Sequence, residues 1–143
     1  MLFGVIGGDR RQAELLKLLR QDGYQAAAYG TAGEMDWERA VSAEVVVLPL
    51  CREGDTINIE GEQRGVGALL RQMRRNQLLL AGQVKPAQAA EAAELDLNLI
   101  DYFKREELTV ANAAATAEAA VQVAMTHLDR SLLGMECLVV GFG

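Results

Sequence analysis

The sequence predicts an α/β domain built on a mainly parallel sheet. Three observations carry this. Short apolar runs alternate with helical patterns along the chain, the order that yields strands joined by helices. The run EVVVL at residues 44–48 is apolar after its first residue, as a strand buried on both faces requires. The connections between runs are long enough for right-handed crossovers.

The elements follow in order. LFGVI, residues 2–6, is the first strand. A helix runs from Asp9 to about Gln21, with Leu15, Leu16, Leu18 and Leu19 as its inner face. Asp9 and Gln12 have capping-box spacing, with Asp in place of Ser or Thr. Gly23 ends this helix. Residues 24–29 form the second strand. YGTAGEMDWE is a loop into a short helix near residues 37–41. The third strand, 44–48, stops at Pro49. Residues 51–65, CREGDTINIEGEQRG, are polar and glycine-rich and read as a long loop or hairpin. A helix follows over about 66–75. QLLLA, 77–81, is the fourth strand, with Gly82 its exit. Pro86 opens an alanine-rich helix to about Leu95, where the missing proline N–H is harmless. Residues 97–100 are the fifth strand, and DYFKREEL its exit. A long helix covers about 109–128, and Gly134 precedes a last strand at 136–140.

This is the pattern of a flavodoxin-like three-layer domain with about five parallel strands, over residues 1–108. A long interdomain helix follows at 109–128. Residues 134–143 read as the first strand and glycine-loop start of a truncated NAD(P)-binding Rossmann domain. There LVVGFG places Gly141 and Gly143 after an apolar run, as where a dinucleotide-binding turn begins. The third glycine, the phosphate-facing helix and the ribose acid of that fingerprint are absent. The expectation is the front part of a two-domain enzyme, and no measurable NAD(P) binding by this segment alone.

Composition narrows the function classes. The net charge is −6 in 143 residues and the pI is near 4.8, against a nucleic-acid surface. Arg71, Arg74 and Arg75 read as a solvated cluster. Cys51 and Cys137 are far apart with no CxxC, which argues against a disulfide framework or thiolate metal site. Cys137 reads as a buried small hydrophobe, and Cys51, beside a loop, is open to reactivity. The single histidine, His127, rules out a multi-histidine metal site; it reads as a cap on the last helix carbonyls. No metal is expected. The N-terminal run is a strand, not a signal peptide. Residues 109–126 are too polar for a membrane span, so the cytoplasm is the expected location.

Ligands of such sheets bind outside the carboxyl ends of the strands. Those ends carry Gly7, Gly8, Asp9 and Arg10; Tyr29, Gly30 and Thr31; Pro49, Leu50 and Cys51; Gly82 and Gln83; Asp101 and Tyr102. GGDRRQ turns a strand into a helix, whose N-terminus favours an anion, and Arg10 or Arg11 would pair with a carboxylate. Successive helix positions point about 100° apart, so one of the two faces the cleft. Arg10 is the expected one, with Arg11 lying over the sheet edge. The plainer alternative is that Asp9 only caps the helix and both arginines are solvated. On the helix NAAATAEAAVQVAMTH, Asn112, Thr116, Gln122 and Thr126 share one side, with Glu118 at its margin. That side either lines a cleft or packs between domains.

The segments VIGGDRRQAELLKLL, VVVLPL, LIDYFKREELTVANAAATAEAAVQVAM and GMECLVVGFG, in this order, resemble the family of dipicolinate synthase A subunits. The Asn-Ala-x-x-Thr-Ala-Glu helix before Gly-x-Gly is the most specific part. The resemblance implies a substrate-side domain facing an NADP domain, and oxidation of a dihydrodipicolinate-type precursor, a dicarboxylate dihydropyridine, to dipicolinate during bacterial sporulation. It implies the dipicolinate synthase B subunit as partner, the mother cell as location, and no nucleic acid or membrane; a homo-oligomer is compatible with it. By matching motifs it gives Asp9 and Glu118 as catalytic candidates. Gly8, Arg10, Asn112 and Thr116 become substrate-binding candidates, and Gly141 and Gly143 cofactor-binding ones. Ala119 stands where the family usually has glycine, and its methyl narrows a close approach. The alternative reading is a non-enzymatic flavodoxin-like module for protein contact or ligand sensing. A phosphorylation receiver fits poorly, since the third strand ends at Pro49 without an aspartate. FMN fits poorly as well, since the first loop lacks a Ser/Thr-rich phosphate cradle.

Overall fold

The structure, a computed structural model, describes residues 1–51 and 55–141. It forms two compact units, Met1–Lys104 and Arg105–Gly143. In the first, β1 (Leu2–Ile6) leads to α1 (Arg10–Gln21), β2 (Gln25–Thr31), a two-residue β3 (Glu34–Met35) and α2 (Trp37–Val41). Then come β4 (Val45–Leu50), the hairpin β5 (Thr56–Ile59) and β6 (Glu62–Gly65), and α3 (Val66–Leu70). β7 (Leu78–Gly82), α4 (Pro86–Glu94), β8 (Asn98–Asp101) and a 3-10 turn (Tyr102–Lys104) complete the unit.

The main sheet has the order β3-β2-β1-β4-β7-β8. Its five longer strands pair in parallel, and β3 is an antiparallel edge. The chain moves outward from β1 to β2, then returns to β1's other side with β4. Strand order therefore reverses between β1 and β4, the point at which such sheets bind ligands.

Strand alternation sorts the core into two faces. Val5 and Ala28 pack with Leu16 of α1. Their neighbours Ile6 and Ala27 join Val46, Leu48, Leu79 and Ala81 in a larger cluster with Ala40 of α2, Leu69 of α3 and Ala92 of α4. Ile57 and Ile59 of β5 belong to that cluster and are fully or almost fully buried. The hairpin is thus anchored in the core. The flavodoxin-like layers are present.

Three expectations are corrected. The helix expected over 66–75 ends at Leu70. Beyond it the backbone tightens: Gln72 N–H donates to Leu69 O and Met73 N–H to Leu70 O, at 2.9 and 3.1 Å. The arginines there have individual partners: Arg71 pairs with Glu91 at 2.8 Å, Arg75 with Asp96 at 3.5 Å, and Arg74 donates to Ser42 O.

The second unit holds α5 (Glu106–His127), which buries none of its residues. His127 Nδ1 lies 2.9 Å from Val123 O, the expected carbonyl contact near the helix end. The strand expected at 136–140 is not formed; described residues 135–141 carry no strand pairing. An apolar run becomes a strand only when a neighbour takes its N–H and C=O groups, and none of the described segments does so. The same cause corrects the third expectation: Cys137 is exposed, not buried. No helix among the described residues is long and apolar enough to cross a membrane.

Candidate functional site

A pocket of about 230 Å³ opens at the carboxyl end of the sheet, lined by Gly8, Asp9, Arg11, Pro49, Leu50, Asn58 and Gln83. These residues come from the β1–α1 turn, the end of β4, the hairpin strand β5 and the exit of β7. Their convergence follows from topology: β1 and β4 flank the reversal point, and the hairpin leans over it.

The β1–α1 turn is held from several sides. Gly7 N–H donates to Tyr29 O at 2.8 Å, and Gly8 N–H to Asn58 O at 2.7 Å. Asp9 N–H donates to Gln12 Oε1 at 2.9 Å, closing the expected capping box. Asn58 Nδ2 donates back to Gly8 O at 3.2 Å. The expectation that this turn offers N–H groups to an anion is therefore corrected. Those of Gly7, Gly8 and Asp9 already have protein acceptors.

Charge enters through Arg11. Asp9 Oδ1 accepts from Arg11 N–H at 2.9 Å and from Arg11 Nε at 3.0 Å, and Asp9 Oδ2 accepts from Nη2 at 2.8 Å. This hydrogen bonding pushes the Arg11 guanidinium up from its already high value. Arg11 stands in the pocket wall. Arg10 is exposed and is not among the described lining residues; Arg11, also exposed, is among them. The reason is local. An N-cap carboxylate accepts from the N–H two residues on, and Arg11, whose own N–H it takes, folds its side chain onto the same carboxylate.

Behind this wall lie two groups with raised pKa. Tyr102 donates to Leu48 O at 3.3 Å, and burial pushes its phenol up to about 12. Cys51 is buried; burial pushes its thiol up, and Asp101 and Asp55 add to the effect. A thiol held protonated is a poor nucleophile, so the option of a reactive Cys51 is not supported. Asp101 accepts from Gln83 N–H and Val84 N–H, both at 3.1 Å, and from Phe103 N–H at 2.9 Å.

Residues 2–103 match the family model of the N-terminal domain of the dipicolinate synthase A subunit. The chain belongs to this family. Two solved structures share the fold. The A chain of dipicolinate synthase from Bacillus subtilis is 18% identical, with a TM-score of 0.68 over 92% of this chain and 49% of that one. The dipicolinate synthase A subunit from Bacillus halodurans is also 18% identical, with a TM-score of 0.69 over 92% of this chain and 50% of that one. The chain thus spans about half the length of these relatives. Among curated proteins none matches it.

In this member of the dipicolinate synthase family, Gly8 and Asp9 both line the carboxyl-end pocket. Asn112, Thr116 and Glu118 lie on α5 in the second unit. Thr116 Oγ1 donates to Asn112 O at 2.7 Å, a bond within the helix. Gly141 has φ 101°, and Gly143 lies outside the described residues. Among the described residues no strand precedes Gly141. No group of three or more His, Cys, Asp or Glu among them suits a metal ion. Sequence reasoning preferred Arg10 to Arg11, did not name Asn58, and named Tyr102 only as a strand end. The spacing of Asp9 to Arg11 carried a signal for Arg11. The other two depend on packing between distant segments.

Proposed function

We propose that this chain is the substrate-side part of a dipicolinate synthase A subunit, whose pocket beside Arg11 holds one carboxylate of a dihydrodipicolinate-type precursor during its oxidation to dipicolinate. The observation that carries the reading is an arginine fixed in the wall of a pocket at the strand-order reversal, in a chain of this family. A ligand carboxylate would take the Nη1 hydrogens of Arg11. The second amide hydrogen of Asn58 and the Gln83 amide supply further donors. Asp9 then acts as a positioning residue that fixes the arginine fork. Its charge offsets that of Arg11, so binding rests on directed hydrogen bonds more than on net attraction.

Oxidation also needs a base for the ring proton and a hydride acceptor. With the Asp9 oxygens engaged, Glu118 is our candidate base, and Asn112 and Thr116 are candidate substrate contacts; the family resemblance supports all three. NADP as acceptor, the B subunit as partner and a role in sporulation rest on the same resemblance. The nucleotide would supply hydride acceptance.

Calorimetric titration of the chain with pyridine-2,6-dicarboxylate tests the site. Arg11→Gln should weaken binding at least fivefold, on the scale of one charge-assisted pair, while Arg10→Gln should leave it unchanged. Equal effects of the two variants, or no binding by the unaltered chain, would overturn the assignment.

A further inference from the structure

A second cavity, of about 280 Å³, lies away from the Arg11 pocket. It is lined by Tyr29, Trp37, Arg64, Gly65, Ala68, Leu69 and Gln72. Its walls come from the end of β2, the start of α2, the outer hairpin strand β6, and α3 with the turn after it. It shares no described lining residue with the carboxyl-end pocket.

Three features define what it would accept. Tyr29 and Trp37 stand edge to face, with centroids 5.1 Å apart and planes at 73°. Both pack against the larger core cluster while staying half-buried, so their inner sides are fixed and their outer sides open. A rigid aromatic wall of this kind favours a flat π-system. Second, Arg64 brings a guanidinium to the rim. Its ion partner Glu62 is 3.6 Å away, and both side chains are largely exposed, so the pair is loose and a better-placed anion can replace it. No carboxylate is among the described lining residues, although the chain's net charge is −6. Third, size sets a limit. A cavity of about 150 Å³ holds benzene, so 280 Å³ admits one six-membered ring with a carboxylate and a water or two. Gly65 adds an open rim: a β-carbon there would meet no atom within 4 Å.

We propose that this cavity is a second ligand site, selective for a small monocyclic aromatic carboxylate, with the ring against Tyr29 and Trp37 and the carboxylate on Arg64. The hairpin connects it to the first pocket. β6 supplies Arg64 here, and its partner strand β5 supplies Asn58 there, with Ile57 opposite Arg64 and Asn58 opposite Gln63.

Trp37 is the single tryptophan of the chain, so its fluorescence reads this cavity directly. The 143-residue chain is titrated with pyridine-2-carboxylate, with excitation at the red edge of the indole band. Saturable quenching is expected, weakened at least fivefold by Arg64→Gln and unchanged by Arg11→Gln. Cyclohexanecarboxylate, which matches the charge but has no π-face, should bind at least fivefold more weakly. Absence of saturable quenching would overturn the site. Unchanged affinity in Arg64→Gln would overturn the carboxylate contact, and equal affinity for cyclohexanecarboxylate the aromatic selectivity. A loss in Arg11→Gln equal to that in Arg64→Gln would place the ligand in the other pocket.

Discussion

The strands β1 and β7 flank β4, and each hands the chain to a helix through a short turn. Both helices close with a buried glutamine: Gln12 accepts from Asp9 N–H at 2.9 Å, and Gln88 from Lys85 N–H at 3.0 Å. There the likeness stops. After β1, the N–H groups of Gly7 and Gly8 go to backbone carbonyls of Tyr29 and Asn58. After β7, those of Gln83 and Val84 go to the carboxylate of Asp101. The glycine N–H groups of the first turn are held by main chain, and the N–H groups of Gln83 and Val84 by one side chain. The first turn therefore resists deletion of a side chain and fails on addition of one. The second behaves in the opposite way. At both turns the N–H groups of Gly7, Gly8, Gln83 and Val84 already have protein acceptors.

The largest effect is expected at Gly7. Its φ is 68°, and a β-carbon would run into Asn58 O and the Ile59 side chain. Gly7→Val should destabilise the chain by about 3 kcal/mol or more, from strain and clash together. Chemical denaturation measures it; a loss under about 1 kcal/mol would mean that the hairpin yields and the main-chain clasp is weak. Next comes Asp101→Ala, which leaves three N–H groups without their acceptor. A loss of about 2 kcal/mol is expected. Deleting a side chain at the first turn, Asn58→Ala, should lose less than half as much, because Gly8 N–H still reaches the main chain of residue 58. Equal losses would erase the contrast.

Tyr102 sharpens the comparison through pH. Its ring abuts Gly82 at the second turn, and its phenol is pushed up to about 12, mainly by burial. An unfolded tyrosine ionises near 10. The folded state therefore keeps its proton longer, and stability falls as pH rises from about 10 to about 12. Unfolding curves of the unaltered chain and of Tyr102→Phe should converge across that window; parallel curves would mean that the phenol is not desolvated. The smallest effect is at the far end of α1. Arg20 donates to both oxygens of Glu34, at 2.6 and 2.8 Å, and this hydrogen bonding lowers the Glu34 pKa. The stabilisation is present above the unfolded value near 4.3 and is lost as pH falls through the lower folded value. Both groups are partly exposed, so Glu34→Gln should lose about 0.5 kcal/mol at pH 7. A denaturation series from pH 7 to 3 should show the difference vanish at the acid end. A larger loss would make this end of the helix matter as much as the turn.

The sheet was legible because its evidence is local. The valines of β4 and the capping pair Asp9 and Gln12 state their roles within a few residues. Legibility fell where structure depends on a partner. β3 has two residues and no period to read. The hairpin shows only Ile57 and Ile59 as inward positions, too few to separate it from a loop. For residues 136–140 the apolar run was visible, but whether a neighbour pairs with it was not. At the site, the strand ends located the pocket. The 100° spacing showed that one arginine faces it, but the choice between Arg10 and Arg11 was made by the Asp9 carboxylate, whose direction is a property of the folded turn.

The anchored hairpin has an evolutionary consequence. Gly7 and Gly30 sit at φ 68° and 66°, and the hairpin presses on both: on Gly7 through Asn58 and Ile59, on Gly30 through Ile59. β4 and β7 pair directly, without passing through it. Two glycines distant in sequence and one hairpin thus form a unit that must change together. Among relatives, a shortened segment between the third and fourth parallel strands should release both glycine positions at once. Where the segment keeps branched residues at the places of Ile57 and Ile59, the glycines should persist while residues 58, 63 and 64 drift with the ligand.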